Sequence, residues 1–270
     1  MNMYVFETRR LLKGLLTWSA VVTLLLVLFM VFFPSMAESG LADLTKDKLD
    51  ALPPAVLEAF GLSVMTDFSD LLQYYAYIAQ YILMAAAIYA LILGAAVLIK
   101  EESEGTIEFL YAQPISRMEI TTSKLLSIVT ILWAFNLVVF IASVLLLQAF
   151  RDPGYEYLSL TVAMFSGMLA AQIVFLTAGF ALSTVLPRYS NPSTVGLGLF
   201  LVTYLLGAIA AINEQLEWLK YLSPFHYVQP TTVLASNGAI EQVYILIMLL
   251  VTITAILFAY WRYRRKDLLV

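Results

Sequence analysis

The sequence predicts an all-α integral membrane protein with six transmembrane helices, and three observations carry that prediction. Hydrophobic residues make up 61% of the 270 positions and charged residues only 13%, about half the charged share of a soluble domain. Six stretches contain no Asp, Glu, Lys or Arg and are long enough to cross a hydrocarbon core of about 30 Å, which takes about 20 helical residues. They cover approximately 14–37, 71–99, 125–150, 157–187, 189–213 and 242–261. The third observation is the distribution of basic residues. With six spans, the side holding both termini collects Arg9, Arg10, Lys13, Lys100, Arg117, Lys124, Arg188, Arg262, Arg264, Arg265 and Lys266, which is eleven; Lys46, Lys48, Arg151 and Lys220 fall on the other side, which is four. Positive charge marks the cytosolic side, so both termini and the 100–124 loop are expected there. An odd number of spans would split the two terminal basic clusters. The whole chain, 1–270, reads as a single transmembrane domain.

Residues 1–13 read as an N-terminal amphipathic helix on the inner surface. Met3, Phe6 and Arg10 follow helical spacing, and the basic residues suit anionic lipid. The apolar run that follows is too long for a signal peptide, so it is expected to remain as the first span. The outer loop 38–70 holds seven acids and two lysines. Two short helices, LADLTKDKLDAL and PAVLEAFGL, are expected around Pro53-Pro54, either as a lid over an outer mouth or as a solvated loop. In the second span Ala86, Ala90 and Gly94 recur every four residues and permit close helix approach. Tyr74, Tyr77 and Tyr81 lie on roughly the opposite side, as an interfacial aromatic belt or the wall of a vestibule.

The loop 100–124 is the one polar segment with a built pattern. Four of its five acids, Glu101, Glu102, Glu104 and Glu108, stand close together. Ser116 and Glu119 form a capping-box signature ahead of the third span, and Pro114 stops whatever precedes it. A short helix near 103–112, a break and a new helix from 117 are expected. The fourth span carries Gly167, Ala171 and Gly179. The fifth starts at an Asn191 cap with Pro192 in the first turn and is rich in small residues (Gly196, Gly198, Gly207, Ala208, Ala211). Stretch 221–240 lacks charge but contains Pro224, His226, Gln229, Pro230, Ser236 and Asn237. It is too broken to span, and is expected to dip in from the outer side as a re-entrant element, which the bilayer tolerates where protein or water covers the backbone. The basic tail RYRRKDLL reads as a stop signal.

Several chemistries are excluded or disfavoured. With no cysteine and one histidine, disulfides, thiolate metal sites and His-rich metal sites are ruled out, and no metal site is expected. His226 has no acid nearby in sequence and reads as structural. No span contains a charged residue of the kind ion and proton relays use. Asn136, Gln80 and Gln172 are the notable polar groups at depth, suited to interhelical hydrogen bonding or to substrate contact. The sequence has no G-x-x-x-x-G-K-[ST] and no room for an ATPase fold, so any ATP must bind a separate chain. No catalytic residue and no nucleic-acid partner is expected.

The inner loop resembles a known family. Glu102, Glu104-Gly105-Thr106-Ile107-Glu108, Pro114, Ser116-Arg117 and Lys124 are similar to the signature of ABC-2 type permeases, the membrane subunits of type V bacterial ABC exporters. The outer LSPFHY stretch, with Pro224, Phe225 and Tyr227, resembles that family's element between the last two spans. The resemblance implies a coupling helix over 103–112 that docks in a groove of a cytosolic ABC ATPase, present in two copies and holding Mg-ATP. Ile107, Phe109, Leu110 and Tyr111 would supply the apolar centre of that contact, and Glu102, Glu104, Glu108 and Arg117 its polar rim. It further implies a second permease copy, or a related permease, meeting the second and fifth spans at Ala86, Ala90, Gly94, Gly207 and Ala211. An outer gate is implied at Pro224, Phe225 and Tyr227, and membrane lipids are implied as partners. The function expected on this resemblance is an exporter permease for an amphipathic or hydrophobic substrate such as a drug, peptide antibiotic or lipid. The alternatives are a sodium-efflux ABC permease and an ATP-independent transporter or channel.

Overall fold

The structure is a computed structural model, and it describes residues 3–38, 57, 67–106, 115–187 and 190–266. It is helical throughout, with no strand among the described residues. In chain order the elements are α1 (Met3–Val31), α2 (Phe33–Glu38), α3 (Leu71–Val97), α4 (Lys100–Ser103), α5 (Arg117–Phe150), α6 (Leu158–Ser183) and α7 (Pro192–Ile212). A 3-10 segment (Glu214–Leu222), α8 (Pro224–Tyr227), α9 (Pro230–Ala235) and α10 (Gln242–Arg265) complete the chain. Six of these helices, α1, α3, α5, α6, α7 and α10, are long and apolar enough to cross a membrane. The starts of α1 and α5 and the end of α10 meet at one end of the bundle, here the base; the opposite end is the crown.

The surface helix expected over 1–13 is instead the opening of α1, which runs without a break to Val31. Its 29 residues extend about 43 Å at 1.5 Å per residue, more than a bilayer core needs. The first turns therefore continue the span, and the reason they stay in register is visible at Glu7, which is buried against α5 rather than turned to water. The break comes later, at Phe32. Pro34 lacks the N–H that would continue the ladder, and α2 starts at Phe33. The expected helices of the loop 38–70 lie outside the described residues.

Helix starts follow the sequence signals closely. Ser116 and Glu119 close a reciprocal box at the start of α5: the Ser116 amide donates to Glu119 Oε2 at 2.7 Å, and the Glu119 amide donates to Ser116 Oγ at 3.2 Å. Asn191 Oδ1 accepts from the Ser193 amide at 3.0 Å, and Pro192 takes the first turn of α7. Asp70 caps α3 through the Gln73 amide at 2.9 Å.

The centre of the bundle is α3, buried along nearly its whole length, with its most extensive contact on α6. Small residues set how closely these two helices pass. A Cβ at Gly94 would lie 2.1 Å from the carbonyl oxygen of Leu176, and one at Gly179 would lie 2.5 Å from that of Leu91. Backbone thus touches backbone, the packing that small residues allow where lipid supplies no hydrophobic drive between helices. Ala86 and Ala90 lie buried on the same helix. A second junction joins α1, α3 and α5 by aromatic rings: Tyr89 stands between Trp18 (centroids 5.2 Å) and Phe135 (5.1 Å). Between α5 and α6, Asn136 Nδ2 donates to Gln172 Oε1 at 2.8 Å and Gln172 Nε2 donates to Asn136 Oδ1 at 3.1 Å. These two amides thus satisfy each other across the helices.

At the crown, Tyr74 donates to the Phe29 carbonyl at 2.8 Å, and Tyr77 and Tyr81 share a 2.7 Å hydrogen bond. Tyr81 stacks on Phe29, so this aromatic group ties α3 to the end of α1. The turn after α5 is fastened to α3 by Tyr155, whose hydroxyl donates to Asp70 Oδ2 at 2.7 Å. Burial, followed by the Asp70 carboxylate, pushes the Tyr155 phenol up to about 12.

Because Gly94 and Gly179 meet backbone rather than flexible side chains, Gly94→Val should cost about 3 kcal/mol or more. In thermal melts of detergent-purified protein it should lower the apparent transition well below wild type. Gly198→Ala, where a new Cβ meets nothing within 4 Å, should leave the transition in place.

Candidate coupling site at the base

The base is held by a buried ion network built from four separate parts of the chain. Lys124 sits two turns into α5 and has no exposed surface. Its ammonium donates to Glu101 Oε1 at 2.7 Å and to the carbonyl of Val97 at 2.7 Å, and Glu7 Oε1 lies 3.3 Å away. The Val97 carbonyl belongs to the last turn of α3, where no helical partner remains for it. Glu7 and Glu101 are themselves buried. Arg10, one turn beyond Glu7 on α1, donates to Glu101 Oε1 at 3.0 Å and to Glu104. One lysine and one arginine thus hold three carboxylates from two segments.

The last residues of the chain close the same assembly. Lys266 donates to Glu102 Oε2 at 2.9 Å and lies 2.7 Å from its other oxygen. Arg117 Nη1 donates to the carbonyls of Lys266 at 2.9 Å and Arg264 at 3.2 Å. A guanidinium on the C-terminal carbonyls of α10 complements the negative end of the helix dipole. Short helix α4 is the hub: Glu101 reaches α1 and α5, and Glu102 reaches the end of α10.

The helix expected over 103–112 does not start at 103. Helix α4 ends there, because Gly105 takes a left-handed conformation (φ 69°) that costs glycine little. The Thr106 amide then bonds back to the Glu101 carbonyl at 2.9 Å, a closure typical of helix C-termini. Residues 104–106 form an exposed turn. Of the expected docking residues, Glu102, Glu104 and Arg117 are engaged within the chain as described, and Gly105 and Thr106 lie in the turn. Ile107, Glu108, Phe109, Leu110 and Tyr111 lie outside the described residues. Sequence reasoning missed Glu7, Arg10 and Glu101 as site residues; the available signal was an acid on the apolar side of a helix otherwise basic at its start.

Of the residues expected at a contact with a second copy, Ala86, Ala90, Gly94, Gly207 and Ala211, the first three are packed inside the chain. Ala86 and Ala90 are buried within the chain, and Gly94 is in backbone contact with α6. Gly207 faces Ser223, to which an added Cβ would come within 2.5 Å of the hydroxyl, and it shares a small cavity with Ala211, Gln80 and His226. Ala86, Ala90 and Gly94 thus serve packing inside one chain, whereas Gly207 and Ala211 are half-buried on α7.

The expected outer element does enter the bundle. Phe225 and His226 of α8 share that cavity of about 40 Å³ with Gln80, nine residues into α3 from Leu71. Val228 lies against Gly167, nine residues into α6 from Leu158. Nine residues of helix correspond to about 14 Å, a re-entrant depth. Phe225 packs its ring among Phe175, Phe200 and Tyr204, and Tyr227 stacks on Tyr244 at 4.7 Å. Pro224 starts α8 and is buried.

Six helices long and apolar enough to cross a membrane, a re-entrant element at the crown and an ion-locked loop at the base are the architecture of a multi-pass membrane protein. A family model described as "ABC-2 family transporter protein" matches residues 1–268, and the chain belongs to that family. It is accordingly a membrane permease of an ABC transporter, a kind of subunit that associates with an ABC ATPase. No curated protein matches the chain.

Removing one partner from a buried ion network leaves the others charged and unpaired, at a cost of about 3–5 kcal/mol. Lys124→Met should therefore lower the apparent thermal transition strongly. Adding Glu7→Gln and Glu101→Gln to Lys124→Met should recover much of the loss. A triple variant no more stable than Lys124→Met would show that charge pairing is not what holds the base.

Proposed function

We propose that the chain is the membrane permease of an ATP-driven exporter for an amphipathic or hydrophobic substrate, such as a drug, a peptide antibiotic or a lipid. In this reading two cytosolic ATPase subunits, holding Mg-ATP, drive it from the base, and a second permease copy or a related permease completes the path. Both termini lie in the cytosol of a bacterial or archaeal cell, following the eleven-to-four excess of basic residues at the base.

The observation that supports the reading best is the attachment of α4. The segment 100–106 is bound to α1 through Arg10, to α5 through Lys124 and to the end of α10 through Lys266. A push on this segment moves three spans together, which is what a docking point for a motor requires. The loop that follows presents the alternation of acidic and apolar residues suited to a small interface. The helix interiors favour apolar cargo, since Lys124 and Glu7 are spent on each other near the base and the spans carry no further charge at depth. In this reading Phe225 and Tyr227, in the re-entrant element, form the exit gate.

Phe109→Ala and Glu108→Lys should each reduce co-purification of the ATPase subunit by about 5–30-fold, the range of a truncated interface anchor. The permease itself should remain folded. Full ATPase binding and full transport in both variants would refute docking at this loop.

A further inference from the structure

Beyond the proposed export reaction, two hollows on the outside of α5 and α6 adjoin at Val162. Around the turn that joins these helices at the crown lies an open hollow of about 850 Å³, lined by Gln148, Arg151, Glu156, Tyr157 and Ser159 among others. Below it, between the helices, lies an apolar groove of about 320 Å³. Its walls are two helical stripes: Trp133, Leu137 and Phe140 on α5, and Val162, Phe165 and Leu169 on α6. Val162 lines both spaces, so the hollow and the groove adjoin there. From Ser159 to Leu169 the pair extends about 15 Å along α6, which is the thickness of one leaflet of a 30 Å core.

The crown hollow is mostly apolar in its surface but carries one charge of each sign, Arg151 and Glu156. Arg151 donates one hydrogen bond, to the Tyr155 carbonyl at 3.3 Å, and lies 5.5 Å from the Tyr157 ring centroid. A guanidinium has five N–H donors, so most remain for a ligand. Tyr157 donates to Gln148 Oε1 at 2.8 Å, which orients that amide and leaves its N–H groups as further donors. Glu156 is exposed and makes no ion pair among the described residues. A purely anionic headgroup would meet Glu156, and a purely cationic one would meet Arg151. A zwitterion satisfies both. The groove is further marked by Trp133, 57% exposed near the middle of α5, whereas membrane tryptophans ordinarily gather at the interfaces.

We infer that this composite surface binds one zwitterionic phospholipid of the crown-side leaflet. Its phosphate lies on Arg151 and Gln148, its ammonium faces Glu156, and an acyl chain lies in the groove between α5 and α6. The site rests on the membrane location of the spans and not on the direction of transport or on an ATPase partner.

The test is native mass spectrometry of the full chain in mild detergent, titrated with phosphatidylethanolamine or phosphatidylglycerol. Wild type should retain phosphatidylethanolamine at least about threefold better than phosphatidylglycerol. Arg151→Ala and Val162→Trp, which fills the junction, should each lower phosphatidylethanolamine retention by about tenfold, with unchanged size-exclusion profiles. Glu156→Gln should abolish the preference by raising phosphatidylglycerol retention. Lys220→Ala, at the crown but outside the hollow, should behave as wild type. Equal retention of the two lipids by wild type would overturn the assignment. So would unchanged phosphatidylethanolamine retention in Arg151→Ala, which decides the matter even if Val162→Trp fails to fold.

Discussion

A single buried ammonium organises one end of this protein. Lys124 reaches Glu101, Glu7 and the Val97 carbonyl, so the starts of α1 and α5 and the end of α3 converge on one positive charge. Burying these groups is costly unless each is paired and hydrogen-bonded; direct contacts at 2.7–3.3 Å pair the charges, while Glu101 Oε2 is buried with no hydrogen-bond partner among the described residues. The continuity of α1, the placement of α4 and the exposed turn at Gly105 all follow from that pairing. The arrangement gives specificity of assembly more than net stability, since few alternative packings of three helices would supply two carboxylates and a carbonyl at the same point.

The rest of the bundle is ordered by the absence of side chain. Gly94 and Gly179 bring α3 and α6 to backbone contact, and Gly167 and Gly207 make room for Val228 and Ser223 of the re-entrant segment. The crown can therefore hold broken, non-spanning backbone at depth, because helices on either side leave space for it and cover it. Close contact at the centre and ionic closure at the base divide the work: one fixes the spacing of the helices, the other fixes how their ends are connected.

Much of this was legible in the sequence. The six spans, the capping box at Ser116 and Glu119, the Asn191–Pro192 start and the re-entrant stretch are local signals, and hydropathy and cap chemistry read them directly. What was not legible depends on partners distant in sequence. A rule that ends each span at its nearest charge places Lys124 and Glu7 in water by construction, so it cannot find charges buried against each other. Likewise a stripe of alanine and glycine announces close approach without saying to what. Ala86, Ala90 and Gly94 suggest a second copy by pattern, whereas Ala86 and Ala90 are buried within the chain and Gly94 meets α6. The docking residues 107–111 carry a sequence pattern alone.

The base also has a temporal side. Its members come from residues 7–10, 101–104, 117–124 and 266, far apart in sequence. Glu7 is made long before Lys124, and Glu102 long before Lys266. During synthesis these acids are therefore unmatched, and each is concealed only when its later partner folds against it.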